Sequence, residues 1–336
     1  MSAGPVACFG EVLLRLAPPG KVPLAQTGAL EVHAGGAEAN VAAALASLGR
    51  PARMVSVLPD NPLGRLARSR LASAGVDTRA IATGEGRMGL YFFEPPAGPI
   101  AGRVTYDRAH SAFALTAPDR LDFAAALDGA ALLHMSGITP ALGPAGVELA
   151  RTAVAAAQEH GVQICFDGNY RASLWDAWDG NPRAILGELV AAAKVLIGNH
   201  RDISLLLDKR FSGEGPERRR EAAEAAFDTF PNLELIASTA RRVAGTVHHL
   251  AARVDSRDGH CQTDEVRIDG IVDRIGTGDA FAAGLLLRYL EGADPAEMAR
   301  SALALAAMKH GIPGDMIAAT RAELEQFDPA GGDVRR

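Results

Sequence analysis

The chain has 336 residues, long for one compact domain and short for three, so one large domain carrying a smaller appendage is expected. Apolar residues make up 48% and charged residues 22%, ordinary globular usage, and a net charge of −6 argues against a nucleic-acid partner, which would need a concentrated basic face. Cys8, Cys165 and Cys261 are widely spaced and support neither a disulfide framework nor a zinc site; the opening residues, interrupted by Glu11 and Arg15, read as neither signal peptide nor membrane span, so a cytoplasmic setting is expected.

In chain order, "EVLLRLAP" and "LEVHAGG" read as strands on one side of a small-residue helix from Ala37 to Leu48, and "GLYFFEPPA" and "RVTYDRAH" as strands on the other. These two groups, about residues 11–36 and 88–112, are expected to pair into a small sheet that stands off the main one as a lid; the bland alternative is that they extend the main sheet. The glycine pair Gly35-Gly36 places bare backbone near Asn40, where an amide side chain could meet a polyhydroxyl ligand. "GEGRMG" has dinucleotide-motif spacing but leads into a strand and reads as a turn.

From about residue 130, short β-rich runs alternate with alanine-rich helical stretches, the rhythm of a doubly wound, mostly parallel α/β sheet with helices on both faces. "ICFDGNYRASLW" starts apolar and breaks into Asp167, Asn169, Tyr170 and Arg171, polar residues at the carboxyl end of a strand, where ligands of open sheets bind. Arg171 suits a carboxylate or phosphate. "VLIGNHRD" repeats the theme with Asn199 and Asp202, oxygen donors apt for hydrated magnesium. "DKRFSGEGPERRR" reads as flexible, and its basic run Arg218–Arg220 as the solvated face of a helix.

The last segment, "DRIGTGDAFAAGLL", has no P-loop pattern, yet Gly276, Thr277 and Gly278 at a helix start would form an anion hole. Asp279 admits two readings. It could cap the helix, or it could take a proton from a hydroxyl attacking a phosphoryl group while the hole absorbs the developing charge.

"GGAEANVAAALASLG" and "DRIGTGDAFAAGLL", in that order, resemble the two signatures of the ribokinase (PfkB) family of carbohydrate kinases, and "HMSGITPAL", "FDGNYRASLW" and "KHGIPGD" are similar to segments of its 2-keto-3-deoxygluconate kinases. The resemblance covers the whole chain, 1–336, as a single ribokinase-like domain with a β-sheet lid. It implies ATP, Mg²⁺ and a sugar acid phosphorylated at its C6 hydroxyl, with Asp279 as base and Gly276 to Gly278 as anion hole. It implies that Gly36, Tyr91, Tyr106, Arg108 and Arg171 contact the sugar acid, and that Lys309 lies by the nucleotide. Gly35, Asn40 and Asn169 are further candidates for the sugar site. The family's N-x-x-E motif here reads Asn199-His200-Arg201-Asp202. After the strand near 236 the usual K-x-G-x-x-G turn is absent, and Ser238, Thr239 and Arg241 are the replacements expected to meet the nucleotide. A monovalent cation is a further cofactor to consider, and exposed lid edges favour a homo-oligomer. Two rivals stand beside this reading: a fructokinase or other neutral-sugar kinase of the same fold, and a sugar-binding sensor with weak catalysis.

Overall fold

In the computed structural model, which describes residues 4–329, the strands divide between two sheets. The larger contains β1 (Val6–Phe9), β4 (Ala52–Pro59), β5 (Ile81–Gly84), β8 (Leu132–Ser136), β9 (Gln163–Asp167), β10 (Val195–Ile197), β11 (Leu235–Ala244), β12 (Val247–Ser256), β13 (His260–Gln262) and β14 (Val266–Ile268). The smaller contains β2 (Leu13–Ala17), β3 (Glu31–Gly35), β6 (Leu90–Glu94) and β7 (Arg103–Asp107). The large sheet runs β13-β12-β11-β10-β9-β8-β1-β4-β5, with β14 also on β12. From β5 to β11 every pairing is parallel, and the β11–β12–β13 edge is antiparallel.

A parallel sheet buried on both faces needs strands that are apolar throughout. In β1, Val6 and Cys8 enter one core cluster while Ala7 and Phe9 enter the other, so each face carries its own hydrophobic layer. On the first face the helices Thr277–Glu291 and Pro295–Lys309 lie close together because Gly284 has no side chain: a Cβ there would press on Ser301 O and Ala302 Cα.

The β/α alternation begins earlier than the sequence rhythm indicates. β1, β4 and β5, all from the first third, join the main sheet. The pattern is hidden because β2 and β3 are inserted between β1 and the Ala37–Ser47 helix, and β6 and β7 follow β5. Those inserted strands do not extend the main sheet. They form a separate one in the order β3-β2-β6-β7, in which β2 and β6 pair in parallel and the outer pairings are antiparallel.

Two other expectations are corrected. The 208–220 stretch is built into the fold: Phe211 is buried, and a helix starts at Gly215. Within it Arg218 and Arg220 make helical ion pairs with Glu221 and Glu224, but Arg220 also reaches the carbonyls of Ser256 and Gly259, and Arg219 that of Gly213, so the run ties the helix to its surroundings. The chain after residue 236 stays extended to Ala244 and reverses through Gly245-Thr246, a two-residue hairpin with Gly245 at φ 63°. Ser238, Thr239 and Arg241 therefore stand on a strand.

Candidate active site

The carboxyl ends of β9 and β10, Ser238 and Thr239 of β11, the first turns of the Ala37–Ser47 and Thr277–Glu291 helices, and the small sheet surround a cleft of about 680 Å³. It joins a second cavity of about 1240 Å³ through residues common to both, among them Arg171, Asn199, Ser238, Thr239, Thr277 and Gly278.

Where the cavities meet, the glycine turn opens the Thr277–Glu291 helix. Gly276 is the N-cap at φ 81°, a conformation that favours glycine, and a Cβ there would run into the Asp315 carbonyl. Thr277 turns back to Arg274 O through its hydroxyl at 3.0 Å, and Ala280 N–H bonds Gly276 O at 2.9 Å. That leaves the N–H groups of Gly278 and Asp279 with no protein acceptor among the described residues. A Cβ on Gly278 would stand in open space. Two free amides, the positive end of a helix dipole and room beside them are an arrangement able to receive an anionic oxygen.

The capping alternative for Asp279 is removed by this geometry: the helix has no side-chain cap, and Asp279 sits in its first turn. Its Oδ2 instead accepts from Asn40 Nδ2 at 2.6 Å, a bond that joins the two helix starts across the cleft. Burial pushes the Asp279 carboxyl up to about 7, against the Asn40 hydrogen bond and with the added repulsion of Glu38 and Asp315. A carboxylate held near neutrality can accept a proton and give it up again.

The remaining expected residues divide. Gly36, Tyr91, Tyr106, Arg108, Asn169 and Arg171 line the cleft with Asn40. Asn169 is held at φ 38°, its N–H bonded to Asp167 Oδ1 at 3.1 Å, which turns the following loop and its exposed Arg171 toward the opening. Gly35 does not line the cleft; it lies against the Asp315 carboxylate, where a side chain would collide. Arg108 lines the cleft with its Nε and Nη2 both donating to Glu11, whereas Arg171 has no carboxylate partner among the described residues.

Of the residues expected to meet the nucleotide, Ser238 and Thr239 line both cavities and Arg241 the second. Lys309 is a correction: it is fully buried, lines neither cavity, and donates to Ile312 O at 2.8 Å. Asn199 and Asp202 form a capping box for the His200–Leu207 helix, Asn199 Oδ1 accepting Arg201 N–H and Asp202 Oδ2 accepting Asn199 N–H. Only the second Asp202 oxygen, beside Gly168, is left for a metal, and Asn199 is spoken for by the backbone. Among the described residues no group of three or more His, Cys, Asp or Glu side chains could hold an ion by itself.

Several lining residues escape the sequence reading. Asp315 belongs to "KHGIPGD", from which the lysine was the expected contact; the aspartate is the one that reaches the cleft. Glu38, two residues before Asn40, is buried in the cleft wall with its carboxyl pushed up by burial. Arg201 and Arg274 also line the cleft, and neither has a carboxylate within ion-pair distance among the described residues.

A doubly wound sheet with a separate small sheet is the architecture of the ribokinase-like kinases among the structural neighbours. A model of the family described as pfkB family carbohydrate kinase matches residues 4–320, and the chain belongs to that family. The 2-dehydro-3-deoxygalactonokinase of Haloferax volcanii is 35% identical over 328 residues, 97% of this chain and 96% of the relative. The 2-dehydro-3-deoxygluconokinase of Thermoproteus tenax is 28% identical over 316 residues, 92% of this chain and 89% of the relative. The crystal structure of 2-dehydro-3-deoxygluconokinase from Thermotoga maritima superposes with a TM-score of 0.92 at 37% identity, covering 98% of both chains. No helix among the described residues is long and apolar enough to cross a membrane.

Proposed function

We propose that the protein is an ATP-dependent sugar-acid kinase that phosphorylates 2-keto-3-deoxygluconate at its C6 hydroxyl. The observation that carries this reading is the placement of Asp279: released from capping, bonded to Asn40, and next to two unoccupied amides at the junction of the cavities. The sugar acid lies beneath the small sheet, which acts as a lid, against Gly36, Tyr91 and Tyr106, with its carboxylate on Arg171. Asp279 takes the C6 hydroxyl proton as that oxygen attacks the γ-phosphorus, the bond from the γ-phosphorus to the β–γ bridging oxygen breaks so that ADP leaves with that oxygen, and the Gly278 and Asp279 amides receive the charge on the phosphoryl oxygens.

The triphosphate extends into the second cavity, past Ser238, Thr239 and Arg241. Asp167 and Asp202 both line the cleft, and burial, then the repulsion of Asp279 and Asp202, keeps the Asp167 carboxyl well above the usual carboxylate range. Asp167 and the free Asp202 oxygen would hold a magnesium ion, which would neutralise charge on the nucleotide phosphates. The small sheet also has exposed apolar residues on its edge strands, Val32 on β3 and Val104 and Tyr106 on β7, which favour self-association there.

A coupled assay of ADP release tests the reading, with 2-keto-3-deoxygluconate, its C4 epimer 2-keto-3-deoxygalactonate, fructose and ribose as acceptors and ATP or GTP as donor. The expected result is a kcat/KM for a sugar acid at least about tenfold above that for either neutral sugar, the worth of one charge-assisted hydrogen bond. A preference for fructose favours a neutral-sugar kinase; no turnover with any acceptor favours a sensor.

A further inference from the structure

Four charged side chains without a role in the transfer step are buried together against the glycine turn. Arg15 reaches out of the small sheet from β2, its Nη1 lying 2.6 Å from Asp273 Oδ2 and 3.4 Å from Asp315 Oδ2. Asp273 also accepts Ile275 N–H through Oδ1 and Gly314 N–H through Oδ2, both at 3.0 Å, so it braces the turn from either flank. The other Asp315 oxygen takes the Tyr91 hydroxyl from β6, and the same carboxylate packs on Gly35 of β3. The Asp315 backbone carbonyl presses on Gly276, and Lys309 brings its Cε to 3.3 Å from where a Gly276 Cβ would stand. Three strands of the small sheet and the start of the anion hole thus meet at one aspartate.

Burying two cations and two anions adds little stability, because desolvation offsets most of their attraction. What such a cluster does is resist displacement, since moving one member leaves a buried charge uncompensated. Arg15 lines neither cavity, so any influence it has on a ligand runs through Asp273 and Asp315.

We infer that Arg15 and Asp315 are positioning residues that lock the Ile275–Gly278 turn to the small sheet, so that the anion hole is set for transfer only while the sheet covering the sugar is seated. The kinetic side of this inference rests on the kinase reading; the structural side does not.

Arg15→Met tests it, because the methionine keeps an apolar stem against Phe93, over which the Arg15 guanidinium now lies at 4.4 Å, and removes the charge. The expected outcome is a roughly tenfold or larger fall in kcat. Sugar-acid affinity measured by calorimetry without nucleotide stays close to wild type, and amide hydrogen exchange across 273–279 speeds up. Arg15→Lys, whose ammonium can still reach one carboxylate, recovers part of kcat. Unchanged exchange across 273–279, or a lower Tm with kcat unaltered, overturns the inference. Should the wild type show no turnover with any acceptor, the kinase reading fails while the exchange measurement still decides the lock. Should Arg15→Met not fold, Tyr91→Phe, which removes a single hydroxyl from Asp315, is scored by the same exchange: faster at 273–279 supports the lock and unchanged overturns it.

Discussion

The two ends of the cleft treat charge in opposite ways. Beneath the small sheet, the buried arginines are already answered by carboxylates: Arg108 by Glu11, Arg15 by Asp273 and Asp315. Around the glycine turn and toward the β11–β12 hairpin, Arg171, Arg201, Arg241 and Arg274 have no carboxylate within ion-pair distance among the described residues, and Arg241 is lowered by burial and then by the repulsion of Arg274. Paired charges fix shape, whereas unpaired ones are relieved when an anion arrives. The first end is held by its own ion pairs, and the second carries cations whose charge an anionic ligand would balance.

The largest effect falls on the residue between the two ends. Asp279→Asn keeps the shape and the bond to Asn40 within reach but cannot accept a proton. It is expected to lower kcat by roughly 10²–10⁴-fold while ligand binding persists. Retained turnover would return Asp279 to a structural part. Gly278→Ala sharpens the comparison next. Gly278 has no positive φ and nothing within 4 Å of an added Cβ, so the fold tolerates alanine; on the proposed reaction the added methyl would crowd a phosphoryl group docked at the neighbouring amides. A fall in kcat of roughly tenfold to a hundredfold with unchanged Tm is expected, and unchanged kcat would place the phosphoryl group elsewhere. Arg171→Ala probes the unpaired end: KM for the sugar acid is expected to rise about tenfold to a hundredfold, the worth of a charged hydrogen bond, with little change for fructose. An unaltered KM for the acid removes the carboxylate contact.

How far the sequence discloses this architecture depends on whether a feature is local. The alternating strands and helices after residue 130 are legible because each strand is an apolar run with its own turn. β1, β4 and β5 are concealed by the insertion of the small-sheet strands between them and their partners. At the site, the glycine turn and Asp279 stand out because backbone freedom, helix start and carboxylate lie within four residues. Arg108 illustrates the limit. Its partner Glu11 is 97 residues away, so nothing local distinguishes a guanidinium held by the fold from one open to substrate. Within "KHGIPGD" the same holds: residue types are plain, but which of Lys309 and Asp315 faces the cleft depends on how the turn packs on Gly276. Arg274 carries no signal of its own inside the motif, and only the cavity shows it as a lining cation.

The pH dependence offers the finest test, because the same carboxyl should affect activity and stability in opposite directions. Burial raises Asp279 to about 7 from its ordinary value near 3.8. As a base it must be ionised, so kcat/KM should be level above about pH 7 and fall about tenfold per unit below it. Asn40 donates to the ionised form, so Asn40→Ala should move the acid limb to higher pH. For folding the sign reverses. A folded-state value above the unfolded one favours the protonated native state, and that contribution is complete below about pH 4 and lost as pH rises through about 7. Asp279→Asn should therefore raise Tm more at pH 8 than at pH 5, even though it lowers kcat. A Tm difference independent of pH would mean that Asp279 titrates near its ordinary value, and the acid limb would then belong to another group.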